Sequence, residues 1–179
     1  LPHNNGRARV KAQAKNNKVP MEAFITSTLL VAVAEIGDKT QLLSFVLAAR
    51  FPKKAYAIIA GIFIATLLNH FIAASFGNWL ASLISPSVLH WILAASFFAF
   101  AVWALVPDKI DDTSASVGHA GVFMTTVLLF FMAEMGDKTQ LATVALAAQY
   151  KSLLAVVMGT TIGMMIANIP AVLLGEALV

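Results

Sequence analysis

The 179-residue sequence contains no cysteine, and only 12% of its residues are charged. The absence of cysteine excludes disulfides, thiolate metal sites and cysteine nucleophiles. A soluble domain carries roughly 25% charged residues, whereas 59% of this chain is hydrophobic and its mean hydropathy is +0.82. The composition therefore predicts an all-α polytopic membrane protein rather than a soluble globule with a large core.

The positive charge of the chain is concentrated at its start. Five of the twelve Lys and Arg residues lie in residues 1–20, which are polar and lack the apolar core of a signal peptide. We interpret this segment as a polar basic leader or a vector-derived remnant, outside the fold. An arm that binds nucleic acid is the alternative, which is disfavoured because no folded reader follows it. We therefore expect no nucleic-acid partner.

Long apolar segments fill the rest of the chain. A helix that crosses a bilayer needs about 20 mostly apolar residues. Five segments meet this requirement, at approximately 22–49, 54–76, 87–106, 121–148 and 152–178. The first and fourth are long enough for a tilted or an interrupted helix. Short turns are predicted at 50–54 and 77–86, and an acidic, Ser-containing linker at 107–120.

The sequence also contains an internal repeat. Residues 34–51 aligned with residues 133–150 give 11 identities in 18 positions. The first repeat, 21–106, holds three predicted helices, and the second, 121–179, holds two. An odd number of helices per repeat makes the second repeat enter the membrane from the opposite side. We therefore expect two inverted three-helix repeats, with the last helix of the second repeat missing from this chain, which leaves five of six transmembrane helices.

The strongest identity between the repeats is a polar motif inside a hydrophobic segment: AEIGDKTQ at 34–41 and AEMGDKTQ at 133–140. A charge near the centre of a bilayer costs at least ~2.5–3.5 kcal/mol, so such residues are usually functional. On a continuous helix Glu35 and Asp38 would share one face, flanked by Lys39. The glycine between the two acids allows either close helix packing or a local break.

The two motifs together predict a site for a divalent cation. Four acids and two lysines sum to a charge of −2 when all are ionised, which one divalent cation would neutralise. Carboxylate, amide and hydroxyl oxygens suit Ca²⁺, Mn²⁺ or Mg²⁺, and the motif helices contain neither Cys nor His. The candidate ligands are Glu35, Asp38, Glu134 and Asp137. Competition between protons and the cation for these carboxylates is the simplest mechanism of exchange.

Structural roles remain open for several of these residues. The acids could only pair with the neighbouring lysines and pin the helices together, but two acids per lysine leave negative charge unpaired. Lys39 and Lys138 either balance the charge of the acids or gate the site and relay protons. Asn69 and Asn168, which match at the offset of 99 that separates the motifs, either line the site or bond between helices.

Paired Glu-x-Gly-Asp-Lys-Thr motifs, one in each repeat, resemble the calcium/manganese cation:proton exchanger family, which includes bacterial manganese exporters and Golgi relatives. The resemblance covers residues 21–179. It implies six helices and export of Mn²⁺ or Ca²⁺ from the cytosol in exchange for protons or another counter-ion. It assigns cation binding to the four acids. The auxiliary positions are Thr40, Gln41, Thr139, Gln140, Asn69, Asn168, Lys39 and Lys138.

The preferred interpretation is a secondary transporter in a bacterial inner membrane that alternates access around a midplane site, with Mn²⁺ favoured over Ca²⁺. A passive divalent-cation channel is the alternative. A membrane enzyme with a carboxylate dyad is disfavoured because a lysine flanks the acids of each motif. We therefore expect no enzymatic activity and no permanently bound cofactor. The expected partners are the cation, protons and the lipid bilayer.

Overall fold

The computed structural model describes residues 4–105 and 121–178, and all regular structure in these residues is helical. The helices in this part of the chain are α1 (Asn4–Ala34), α2 (Lys39–Arg50), α3 (Ala55–Leu83), α4 (Pro86–Ala104), α5 (Gly121–Glu134), α6 (Lys138–Tyr150) and α7 (Leu153–Ala177). The predicted all-α class is confirmed. Helix α1 begins inside the segment that we interpret as a leader, and the predicted linker at 107–120 lies outside the described residues.

Three helices are long and apolar enough to cross a membrane: α3, α4 and α7. Residues 18–34 of α1 meet the same test together with α2, although the two are bent by 71° at the break between them. Large apolar side chains also cover the surface of α4, where Trp91 and Phe98 are exposed. A surface of this kind is unfavourable in water and suits lipid. The chain is therefore an integral, polytopic membrane protein.

Two of the predicted segments, 22–49 and 121–148, are each divided in the structure. The breaks lie at the motif glycines, Gly37 (φ +79°) and Gly136 (φ +75°), which adopt the left-handed conformation that glycine reaches without steric cost. The described residues consequently hold three or four candidate spans rather than five, since α5 and α6 are short helices on either side of a break.

The predicted turn at 77–86 is too long. Helix α3 continues through Gly77 to Leu83, and α4 begins at Pro86. Gly77 is buried within α3, and its lack of a side chain lets the backbone of Val144 approach closely. The glycine therefore serves a helix contact and does not end the helix. Proline at the first turn of α4 loses no hydrogen bond because that N–H has no helical partner. The turn is therefore reduced to Ile84 and Ser85.

The helices of the two repeats pack against each other in a reciprocal way. The long helix α3 of the first repeat packs on α5 and α6, and the long helix α7 of the second repeat packs on α1 and α2. Helices α3 and α7 also contact each other. Each broken helix is thus covered by a helix of the other repeat, and the two breaks lie within one helix bundle.

Buried glycines mark equivalent points in this packing. A Cβ atom added to Gly77 would lie 2.1 Å from the carbonyl oxygen of Val144, and one added to Gly175 would lie 2.5 Å from that of Phe45. Val144 and Phe45 are the same position in the two repeats, at the offset of 99. These contacts support the two-repeat organisation, while the opposite orientation of the repeats in the membrane remains a prediction.

We expect Gly77→Ala and Gly175→Ala to destabilise the protein to a similar extent, because each added methyl group meets backbone that cannot move aside. Overpacking of this kind typically costs about 1–3 kcal/mol. Thermal unfolding in detergent measures the effect. The control is Ala94→Val, which adds bulk at an exposed position of α4. A melting temperature for either glycine variant equal to that of the control would contradict the packing described above.

Candidate cation-binding site

The first motif forms the break between α1 and α2. Glu35 follows the last residue of α1, and its carbonyl oxygen accepts a hydrogen bond from the backbone N–H of Asp38 at 3.1 Å. Asp38 is the N-cap of α2, and its Oδ2 accepts from the N–H of Thr40 at 3.3 Å. Both acids are buried, with 0% and 2% exposure. Of the two alternatives for Gly37, the local break is the one found, so the two acids do not lie on one continuous helix.

The second motif has the same local structure. Glu134 is the last residue of α5, and Asp137 is the N-cap residue of α6, with φ −79° and ψ 165° against −76° and 162° for Asp38. The N–H of Asp137 donates to the carbonyl oxygen of Glu134 at 3.2 Å. Both acids are again buried, with 0% and 3% exposure. The shared residues of the two motifs therefore produce the same turn twice, although Asp137, unlike Asp38, makes no capping hydrogen bond with its side chain.

A threonine orients the glutamate in each motif. The hydroxyl of Thr40 donates to Oε2 of Glu35 at 2.6 Å, and the hydroxyl of Thr139 donates to Oε2 of Glu134 at 3.0 Å. The other oxygen of each glutamate, Oε1, is buried and has no hydrogen-bond partner among the described residues. Each glutamate thus has one oxygen that a hydrogen bond holds and one oxygen that can coordinate a cation.

The glutamines brace the two breaks. Oε1 of Gln41 accepts from the N–H of Gly37 at 2.9 Å, and Oε1 of Gln140 accepts from the N–H of Gly136 at 2.7 Å. The amide nitrogens reach the other repeat, where Gln41 donates to the carbonyl oxygen of Ala167 at 3.0 Å. Gln140 donates to Oδ1 of Asn69. The glutamine oxygens therefore hold the turns, and a direct contact with a cation remains a prediction.

The two asparagines bond between helices or within one. Nδ2 of Asn69 donates to the carbonyl oxygen of Phe131 at 3.4 Å. Oδ1 of Asn168 accepts from the hydroxyl of Ser44 at 2.6 Å, and its Nδ2 donates to the carbonyl oxygen of Met164 at 3.0 Å. These contacts connect α3 to α5 and α7 to α2. The backbone carbonyls that take part have no signature in the side-chain pattern, so sequence reasoning does not find them.

Each lysine pairs with the aspartate of the opposite motif. Nζ of Lys39 lies 3.3 Å from Oδ1 of Asp137, and Nζ of Lys138 lies 3.0 Å from Oδ1 of Asp38. These ion pairs therefore differ from the alternative in which each lysine pairs with the acid beside it in sequence. The crossed pairs join the two motifs into one cluster of four acids and two lysines.

Oxygens of three acids meet inside this cluster. One carboxylate oxygen each from Glu35, Glu134 and Asp137 lies within 4.8 Å of the others, and all three residues are buried. Oδ2 of Asp137, like Oε1 of both glutamates, has no hydrogen-bond partner among the described residues. Unpaired buried carboxylates are unfavourable by several kcal/mol each, and a bound cation would offset this cost. The donor set is oxygen only, as hard divalent cations require.

A polytopic helical protein with a buried acidic site between two equivalent broken helices has the architecture of a secondary ion transporter. Residues 23–112 and 122–179 match the family described as divalent cation/proton antiporter GDT1. The chain belongs to this family, and the resemblance to cation:proton exchangers given by its motifs is confirmed. The family is one of transporters rather than enzymes.

Individual relatives agree with this assignment. The chain is 50% identical over 157 residues to a Vibrio cholerae protein named "putative manganese exporter". The matched region covers 87% of this chain and 78% of that protein. It is 26% identical over 196 residues to GDT1-like protein 5 of Arabidopsis thaliana, with 88% and 85% of the two chains covered. No solved structure matches the chain significantly. The bacterial relative agrees with the inner-membrane location expected from the sequence.

At each break glycine is needed for its backbone conformation and not for the space that it leaves. A Cβ atom on Gly136 would meet nothing within 4 Å, yet its φ is +75°. We therefore expect Gly136→Asn to melt close to the wild type, since asparagine tolerates this conformation, and Gly136→Val to melt well below it. Thermal unfolding of both variants in detergent, with Gly136→Ala as the intermediate case, tests this. Equal melting temperatures for Asn and Val would contradict it.

Proposed function

We propose that this protein is a secondary active transporter that exports divalent cations, Mn²⁺ in preference to Ca²⁺, from the cytosol in exchange for protons. The observation that carries the proposal is the convergence of three buried carboxylates from both motifs, each of which also has an oxygen without a hydrogen-bond partner among the described residues. Two further facts support it. The family is described as one of divalent cation/proton antiporters, and a relative of 50% identity bears the name of a manganese exporter.

The ligands that we assign are Glu35, Asp38, Glu134 and Asp137. Each glutamate offers the oxygen that its threonine does not hold, and Asp137 offers Oδ2. Asp38 adjoins the cluster through its pair with Lys138. With both lysines charged and all four acids ionised, the cluster carries −2, so one divalent cation neutralises it. Mn²⁺ and Ca²⁺ both accept such oxygen ligands.

The same carboxylates account for coupling to protons. An acid in this buried cluster either ligates the cation or carries a proton, because a bare carboxylate without either is unfavourable there. Binding of a cation therefore releases protons, and protonation releases the cation. A lower pH on one side of the membrane favours unloading of the cation at that side. This competition is sufficient for exchange without a further cofactor.

Alternating access follows from the position of the site between the repeats. The acids lie at the ends of short helices, and the long helix of each repeat covers the broken helix of the other. A rearrangement of one repeat against the other would therefore open the cluster first to one side of the membrane and then to the other. The small residues at the helix contacts allow the close packing that such a movement needs.

Purified protein in liposomes tests this function. We expect uptake of Mn²⁺ against its concentration gradient when an opposing proton gradient is imposed, and a matching movement of protons. A passive channel would only dissipate the Mn²⁺ gradient. We also expect Glu35→Gln and Glu134→Gln each to abolish this uptake, because each removes a ligand charge from the single cluster, while the melting temperature remains near that of the wild type.

The matched control for these variants is Glu22→Gln, which makes the same change at an exposed position of α1 and should transport normally. Uptake that is indifferent to the proton gradient would contradict the exchange mechanism. Normal transport by either Glu35→Gln or Glu134→Gln would contradict the site.

A further inference from the structure

The two lysines compete with the cargo for the same acids. The ammonium of Lys39 contacts Oδ1 of Asp137, whose other oxygen, Oδ2, has no hydrogen-bond partner among the described residues, and a carboxylate oxygen of Asp137 lies within 4.8 Å of both glutamates. The ammonium of Lys138 contacts Asp38 in the same way. Both aspartates are among the ligands assigned above. A lysine and a divalent cation on one carboxylate repel each other, so tight binding of one weakens binding of the other.

We propose that Lys39 and Lys138 are resident counter-ions, which pair with the two aspartates when the site holds no cargo. When a divalent cation binds, they give up these contacts to it but stay close enough to balance the charge of the cluster. This inference rests on the proposed function and adds a release step to it. When the lysines return to the aspartates, they help to displace the cation. Without them the cluster would carry −4 and would hold a divalent cation too tightly for rapid turnover.

Burial means that each ionised aspartate needs a positively charged partner. Asp38 and Asp137 are 2% and 3% exposed, so in this state each carboxylate has little access to water. An aspartate that loses its lysine must therefore gain a cation or a proton. The lysine and the cation thus alternate as the partner of each aspartate.

The crossing of the pairs connects occupancy to the arrangement of the repeats. Each pair joins α2 of the first repeat to α6 of the second, since Lys39 and Asp38 lie at the start of α2 and Lys138 and Asp137 at the start of α6. The pairs tie the two broken helices together while the site holds no cargo. Binding of the cation loosens these ion pairs, and its release re-forms them. The state of the site and the contact between the repeats therefore change together.

The two pairs differ in their contact with the surroundings. The side chain of Lys138 is 5% exposed, whereas that of Lys39 is 31% exposed. Charges that are less exposed interact more strongly because they are screened less. Removal of Lys138 should therefore have the larger effect on the cation.

The test measures Mn²⁺ binding by calorimetry and Mn²⁺ turnover in liposomes for Lys138→Gln, Lys39→Gln and Lys138→Arg. We expect Lys138→Gln to lower the Kd for Mn²⁺ by roughly tenfold and to slow turnover, with a smaller effect of Lys39→Gln in the same direction. Arginine keeps the charge, so Lys138→Arg should restore both values towards the wild type. The control is Lys54→Gln at an exposed turn position, which should change neither.

A purely structural role for the lysines predicts the reverse pattern, in which the glutamine variants bind Mn²⁺ more weakly and melt earlier. Weaker or unchanged binding by Lys39→Gln and Lys138→Gln, or unchanged turnover with tighter binding, overturns the inference. If Lys138→Gln does not fold, the inference is decided by Lys39→Gln, because the side chain of Lys39 is more exposed. If the wild type binds Mn²⁺ but does not exchange it for protons, the proposed function fails, while the Kd values of the lysine variants still decide whether the lysines compete with the cation.

Discussion

The burial of four carboxylates between helices of a membrane protein is the constraint on which the rest of this structure depends. Charge in such a place is tolerated only with partners. The threonine hydroxyls satisfy one oxygen of each glutamate, and the crossed lysines satisfy one oxygen of each aspartate. Three carboxylate oxygens have no partner among the described residues, and they belong to the three acids whose carboxylates lie within 4.8 Å of one another. The threonines and lysines hold the carboxylates in position, and the three remaining oxygens are those that we assign to the cation.

The helix breaks are the second requirement, and glycine supplies them. A continuous helix would use the backbone N–H groups near the acids for its own hydrogen bonds. The left-handed turn at Gly37 or Gly136 ends one helix at a glutamate and starts the next at an aspartate cap. The glutamine after each turn then closes it through the glycine N–H. Seven residues, from the glutamate to the glutamine, thus encode an acid, a break, a second acid, a counter-charge for the other motif, and the threonine and glutamine that hold the glutamate and the turn.

Much of this could be predicted from the sequence. Hydropathy predicted the helical membrane class. The repeated motif singled out four acids, which the structure places in one cluster, while binding of a cation by them stays a prediction. The break at the glycine was one of two alternatives, since glycine permits both close packing and a turn. The crossed pairing of Lys39 with Asp137 could not be predicted, because it depends on how α2 and α6 meet. The extension of α3 through Gly77 was missed for the same reason, as only the contact with Val144 explains that glycine.

The central claim is that both motifs build one cation site. Titration of the purified protein with Mn²⁺, followed by electron paramagnetic resonance of the bound ion, measures the number of sites directly. The account predicts one Mn²⁺ per chain, and it predicts that replacement of Glu35 alone or of Glu134 alone removes that ion. Two bound Mn²⁺ ions per chain, with each replacement removing one and leaving the other, would contradict it.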